Sequence, residues 1–109
     1  EWPGLGAALP DWLHHETLRL MKAAGGNFVR WGHTAAGPAQ IRAADELGLV
    51  TLQPGVDGEH DTRGGAWELR AATFRDVLIY FRNHPSILVW EGGNQKVSRE
   101  HAAELRGLM

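Results

Sequence analysis

NHPSILVWEGGNQ, Asn83 to Gln95, is the stretch that decides the fold. Ile87, Leu88, Val89 and Trp90 form an unbroken apolar run of strand length, entered through His84-Pro85-Ser86 and left through Glu91, two glycines and two amides. A continuous run of this kind suits a strand buried in a parallel sheet. Pro85 pushes the residue before it out of the helical region, which separates the run from the helical text upstream. A strand that ends in a carboxylate and a hinge places polar chemistry at its carboxyl end, where such sheets build their sites.

Outward from this strand, helical and strand-like segments alternate. The periodicity predicts a helix from Trp12 to about Ala24, with Leu13, Thr17, Leu20 and Ala24 on one face, Asp11 as its cap and Gly25-Gly26 as its stop. Phe28 to Trp31 reads as a strand ended by Gly32-His33. Pro38 opens a second helix with Ile41, Ala44 and Leu47 inward, Gly48 terminates it, and Leu49 to Leu52 is the next strand. Gln53 to Gly65 reads as a polar, glycine-rich loop with the length of a functional rim. The third helix runs from Trp67 to Phe81 or Asn83, with Trp67, Phe74, Leu78 and Phe81 on its apolar stripe. Ser86 to Glu91 is the third strand, and Ser98 caps a fourth helix with Ala102 and Leu105 inward. The opening EWPGLGAALPDW reads as loop text without a basic leader.

The sum is α-β-α-β-α-β-α, an α/β chain whose apolar strands read as parallel and covered on both faces. A closed (β/α)₈ barrel takes about 250 residues. These residues read either as an excerpt of such a barrel or as an autonomous three-stranded domain, and periodicity alone leaves both open.

Composition narrows the function classes. With 109 residues, 43% hydrophobic, 22% charged and five tryptophans, the chain has the apolar area of one small folded domain. A formal charge of -2 without a dense basic block argues against a nucleic-acid partner. The absence of cysteine excludes disulfides, thiolate metal sites and cysteine nucleophiles. No apolar run is long enough for a membrane-spanning helix. Compartment stays open, and a secreted or periplasmic parent is compatible with what is visible.

The strand-end rule collects Arg30, Trp31 and His33 after the first strand, the Gln53 to Asp61 loop after the second, and Glu91, Asn94 and Gln95 after the third. Arg30 has no carboxylate beside it in sequence, so it either forms a salt bridge across the sheet or meets a ligand. His33 suits a sugar hydroxyl as well as it suits a plain loop. Trp31 and Trp90 are either core aromatics or a platform for the flat face of a sugar ring. Asp57, Glu59, His60 and Asp61 have the donor types for a hard cation, but their spacing does not match the calcium loop, and a solvated acidic loop is the plainer reading. His14, His15 and His101 sit in helical text as surface or groove residues. Nucleotide-binding glycine motifs and the serine nucleophile elbow are absent, and no cofactor or metal is expected. Asn94 and Gln95 can donate and accept but supply no proton at neutral pH, which leaves Glu91 as the candidate acid. On strand parity it sides with Ile87 and Val89, facing a barrel mouth where desolvation would raise its pKa.

At this point the residues match a known pattern. MKAAGGNFVRWGH (21–33), AADELGLV (43–50) and FRNHPSILVWEGGNQ (81–95) resemble three separated motifs of the family 2 glycoside hydrolases, the β-galactosidase, β-glucuronidase and β-mannosidase group. The resemblance implies that 1–109 is part of a TIM-barrel catalytic domain, completed by the rest of the barrel and accessory β-domains. It implies hydrolysis of a terminal β-linked sugar from an oligo- or polysaccharide by the full-length parent, with this segment inactive alone. Arg30 and His33 then correspond to residues lining the subsite of the nonreducing sugar, and Asn94 to the asparagine beside the cleaved bond. Gln95 stands where the family carries its acid/base glutamate, so Glu91 becomes the provisional proton donor. The nucleophile is expected on a later strand. The alternative of another class is a carbohydrate-binding or structural α/β domain without chemistry.

Overall fold

The computed structural model describes residues 4–5, 8–56 and 60–109. Residues 1–3 and 6–7 of the opening loop, and Asp57 and Glu59 among the residues weighed as cation ligands, lie outside the described residues. The elements run α1 (Asp11–Ala23), β1 (Phe28–Arg30), α2 (Pro38–Leu47), β2 (Val50–Pro54), α3 (Gly65–Phe81), β3 (Ile87–Glu91) and α4 (Arg99–Leu108). The strands form one parallel sheet in the order β1-β2-β3. This is the expected alternation, and it has the architecture of a barrel segment.

Consecutive strand order with right-handed crossovers places the connecting helices on the same face. Register confirms the sidedness: Val29 pairs with Thr51 and Gln53 with Trp90, and these residues face the helices. Thr51 and Gln53 are fully buried there, while Val29 and Trp90 pack against the helical clusters. Arg30 pairs with Leu52, Leu52 with Val89 and Pro54 with Glu91, so these five share the opposite face. On that side Phe28 is 46% and Val89 40% exposed. Within residues 1–109 the helices cover one face of the sheet, and the other is the face that a closed barrel turns inward.

The register shifts by one residue between Thr51 and Leu52, because Thr51 pairs with Ile87 and Leu52 with Val89. Leu88 is the extra residue of this bulge and stands 74% exposed. Ile87 consequently packs on the helix side with Phe81 and Ile41, and Glu91 keeps company with Val89 alone. Simple alternation had grouped all three on one face.

Three apolar clusters tie the layers together. Leu18, Ala43, Ala44 and Leu49 join α1 to α2; Ala36, Ile41 and Phe81 join α2 to α3; Trp67, Phe74, Leu78 and Leu105 join α3 to α4. Trp31 packs against the first and second, Trp90 against the second and third. The α3 stripe is as expected. The α1 face is as expected only in part: Leu13 is buried, but Leu18 is buried with it while Leu20 and Ala24 are exposed. Leu18 lies five residues after Leu13, outside the three-and-four series, and its packing against α2 places it in the core. Pro10 is the N-cap of α1, and Asp11 begins the helix and pairs instead with Arg42 at 3.3 Å. Ala102 of α4 is also exposed rather than inward.

The N-terminal ends of the strands are locked by residues from two of the sequence motifs. Asp45 of α2 accepts from the Ser86 backbone N–H at 2.9 Å and from His84 Nδ1 at 2.6 Å. Gly48 takes the left-handed conformation (φ 65°) that lets α2 turn directly into β2. Burial, the largest single influence, pushes the Asp45 carboxyl up, but the hydrogen bonds from Ser86 and His84 outweigh it and hold it below the usual carboxylate range.

Candidate functional site

The carboxyl ends of the three strands form one rim. β2 is longer there than its sequence suggested, because Gln53 and Pro54 continue the strand instead of opening a loop. Gln53 can be polar and fully buried because its amide is satisfied in both directions: Nε2 donates to the Ala36 carbonyl and Oε1 accepts from the Ala36 N–H, each at 3.1 Å. Residues 31–37, which carry Trp31 and His33, are thereby clasped to the centre of the sheet.

Arg30 reaches across the end of β2 to the third strand. Its Nε donates to Glu91 Oε2 at 2.7 Å and its Nη2 to Glu91 Oε1 at 2.5 Å, a bidentate pair. Nη2 also donates to Asn94 Oδ1 at 2.9 Å. The Glu91 side chain is 13% exposed and that of Arg30 40%, so the pair lies at the surface of the rim with its carboxylate sheltered. Of the two readings open for Arg30, the structure contains the salt bridge, and the same side chain also orients an amide on the adjoining turn. The Glu91 oxygens are engaged as acceptors, a geometry the strand pattern did not anticipate.

Gln95 and His33 stand exposed on the same rim, and among the described residues neither makes a side-chain hydrogen bond. Trp31 and Trp90 are placed on the helix side of the sheet, away from Arg30 and Glu91, where they bridge the apolar clusters. Of the two readings open for them, core aromatic or sugar platform, their packing within residues 1–109 is that of core aromatics behind the rim. The reason is parity, since each is one residue out of step with the rim residue beside it.

The loop after β2 is fastened to α4. Asp61 accepts from His101 Nδ1 at 2.6 Å and from the Ser98 N–H at 3.2 Å. The His101 hydrogen bond, ahead of the opposing effect of burial, holds the Asp61 carboxyl below its usual range. His101 also stacks on Trp67 with ring centroids 3.6 Å apart, and Trp67 Nε1 donates to Glu104 at 2.8 Å. Asp61 is committed to this latch, and of the surface or groove positions expected for His101 the structure gives it the groove, between α4, Trp67 and the loop after β2. His14 and His15 are partly buried on α1, and His15 lies 3.5 Å from Glu46.

No family model matches the chain. It is 55% identical over 104 residues to a β-glucuronidase of Formosa agariphila, an alignment covering 95% of this chain and 11% of that protein. The solved structure of a β-glucuronidase from glycoside hydrolase family 2 superposes with a TM-score of 0.89 at 53% identity, covering 98% of this chain and 11% of that one. A family 2 β-galacturonidase from Eisenbergiella tayi, solved bound to galacturonate, gives 0.83 at 25% identity over 97% of this chain and 21% of its own. The chain thus spans about a tenth of the length of the curated relatives it matches.

Proposed function

The chain corresponds to a partial segment of a glycoside hydrolase family 2 catalytic domain, and from that premise we propose that its parent hydrolyses a terminal β-linked uronic acid, a glucuronide, from an oligo- or polysaccharide with retained configuration. The observation that carries this reading is the meeting of Arg30, Glu91 and Asn94, from the first strand and from the end of the third, at the carboxyl ends of a parallel sheet. The uronic acid is suggested by the relatives named for glucuronide and galacturonide cleavage. A non-catalytic carbohydrate-binding domain is not favoured by relatives named as hydrolases.

In this proposal residues 1–109 supply one wall of the sugar site and are inactive alone. Asn94, Arg30 and His33 position the sugar, Gln95 contributes a hydrogen bond, and Trp31 and Trp90 support the rim from behind. A retaining site needs two carboxyl groups about 5–5.5 Å apart. The group gathered by Arg30 includes one carboxylate, Glu91, and the nucleophile is assigned to another part of the parent barrel.

Glu91 is the proposed proton donor, which requires that Arg30 hand at least one of its hydrogen bonds to the sugar when substrate binds. The bidentate pair favours a second reading, in which Glu91 anchors Arg30 and the proton comes from elsewhere. Full-length Glu91→Gln, assayed beside Gln95→Ala on an activated aryl β-glucuronide and on a natural disaccharide, separates them. For a proton donor, activity on the disaccharide falls about 10²- to 10⁴-fold while the activated substrate suffers far less. Equal losses on both substrates with a raised KM assign Glu91 to anchoring.

A further inference from the structure

Behind the Gly92–Gly93 turn lies a buried arginine with no part in the proposed proton transfer. Arg70 sits on the α3 stripe between Trp67 and Phe74 and is 5% exposed. Its Nη1 donates to the His60 carbonyl at 3.5 Å, in the loop after β2, and its Nη2 to the Gly92 carbonyl at 3.4 Å, in the turn after β3. Its Cζ lies 5.7 Å from the Trp67 ring centroid, so the ring that stacks on His101 also faces the guanidinium. Among the described residues no carboxylate pairs with it.

A buried cation is expensive unless its donors are used. Here the two terminal nitrogens are directed to the backbone of two different rim segments, while the buried Nε has no partner among the described residues. The turn also rests directly on the guanidinium: a Cβ at Gly93 would lie 2.5 Å from Arg70 Nη2 and 2.5 Å from Val97 Cγ2. Only a residue without a side chain lets the backbone come this close. The next residue is Asn94, which Arg30 holds at 2.9 Å.

We infer that Arg70 is a positioning residue: it fixes the height of the turn over β3, ties that turn to the loop after β2, and so determines where Asn94 and Gln95 are presented. Its catalytic consequence rests on the glycosidase reading; its structural consequence does not.

The test uses the full-length protein with Arg70→Met, Arg70→Lys and, as a control on the exposed side of α3, Arg75→Met. Amide hydrogen exchange is followed segment by segment, and kcat and KM are measured per active site after titration with a covalent inactivator. In Arg70→Met, exchange across residues 92–97 should accelerate roughly tenfold or more while β1 and α1 keep their wild-type rates. Displacement of the turn should lower kcat by about 10- to 100-fold with KM nearly unchanged. Arg70→Lys should fall between, since an ammonium cannot serve both carbonyls in the fixed geometry of a guanidinium, and Arg75→Met should match the wild type. Unchanged exchange at 92–97, or acceleration spread evenly over the barrel, overturns the inference. If Arg70→Met does not fold, Arg70→Lys decides, and wild-type exchange at 92–97 in that variant overturns it equally. A wild-type protein without glycosidase turnover defeats the functional proposal, while the exchange data still judge Arg70.

Discussion

The two ends of the sheet each hold a sheltered carboxylate beside a basic side chain, and they use it differently. At the N-terminal end Asp45 is met by His84 and by a backbone N–H of the segment entering β3, so one side chain staples α2 to the start of β3. At the carboxyl end, among the described residues, the Glu91 carboxylate is met by the Arg30 side chain through two parallel hydrogen bonds, and Arg30 extends to an amide on the turn after β3. One arrangement ends in backbone and closes on itself. The other ends in side chains that can exchange partners, which is the property a binding rim needs.

This contrast is broken most severely at Arg30. Arg30→Met in the full-length protein should remove the bidentate partner of Glu91 and the orientation of Asn94 together, with a loss in kcat/KM on the order of 10²-fold. Kinetics on an aryl β-glucuronide check this, and an unchanged value would place the sugar somewhere else. Asp45→Asn should act on stability instead, lowering it by about 1–3 kcal/mol through a weakened hydrogen-bond set at a partly buried site, while activity per folded molecule holds. Denaturant unfolding of the parent barrel measures it. The acid limb sharpens the same point. Because Asp45 is held below its usual range, its contribution is fully present above the unfolded-state carboxyl value, about 3.9, and is lost as pH falls through the lower folded value. The Asn variant should therefore show a flatter loss of stability across that acidic window. The smallest effect belongs to the exposed Arg42–Asp11 pair at 3.3 Å, where Asp11→Asn should change stability by less than about 1 kcal/mol.

Element order, parallel pairing and the α3 stripe were legible because each rests on local periodicity or on a turn residue. What the sequence hid depends on partners far along the chain. Arg30 and Glu91 were each visible as rim residues, but a pair 61 positions apart has no local signature. Gln53 read as loop because it is polar, and only its contact with Ala36 makes it strand. The bulge at Leu88 upset the parity argument for Ile87, since one extra residue leaves no mark in an all-apolar run. Leu18 falls outside the three-and-four series that begins at Leu13, and only its packing against α2 puts it in the core. Arg70 did leave a signal that went unread: a charged residue on an otherwise apolar stripe, three positions after Trp67 and four before Phe74.

The Gln53 clasp has a consequence for the chemical ageing of the protein. Hydrolysis of that single amide to a carboxylate would delete the donor that serves the Ala36 carbonyl and set two acceptors against each other. The loop bearing His33 would then come loose through a change of one atom group and no change of the genetic code. Full burial keeps bulk water from the amide, so the contact that shapes the loop also shields it from spontaneous deamidation.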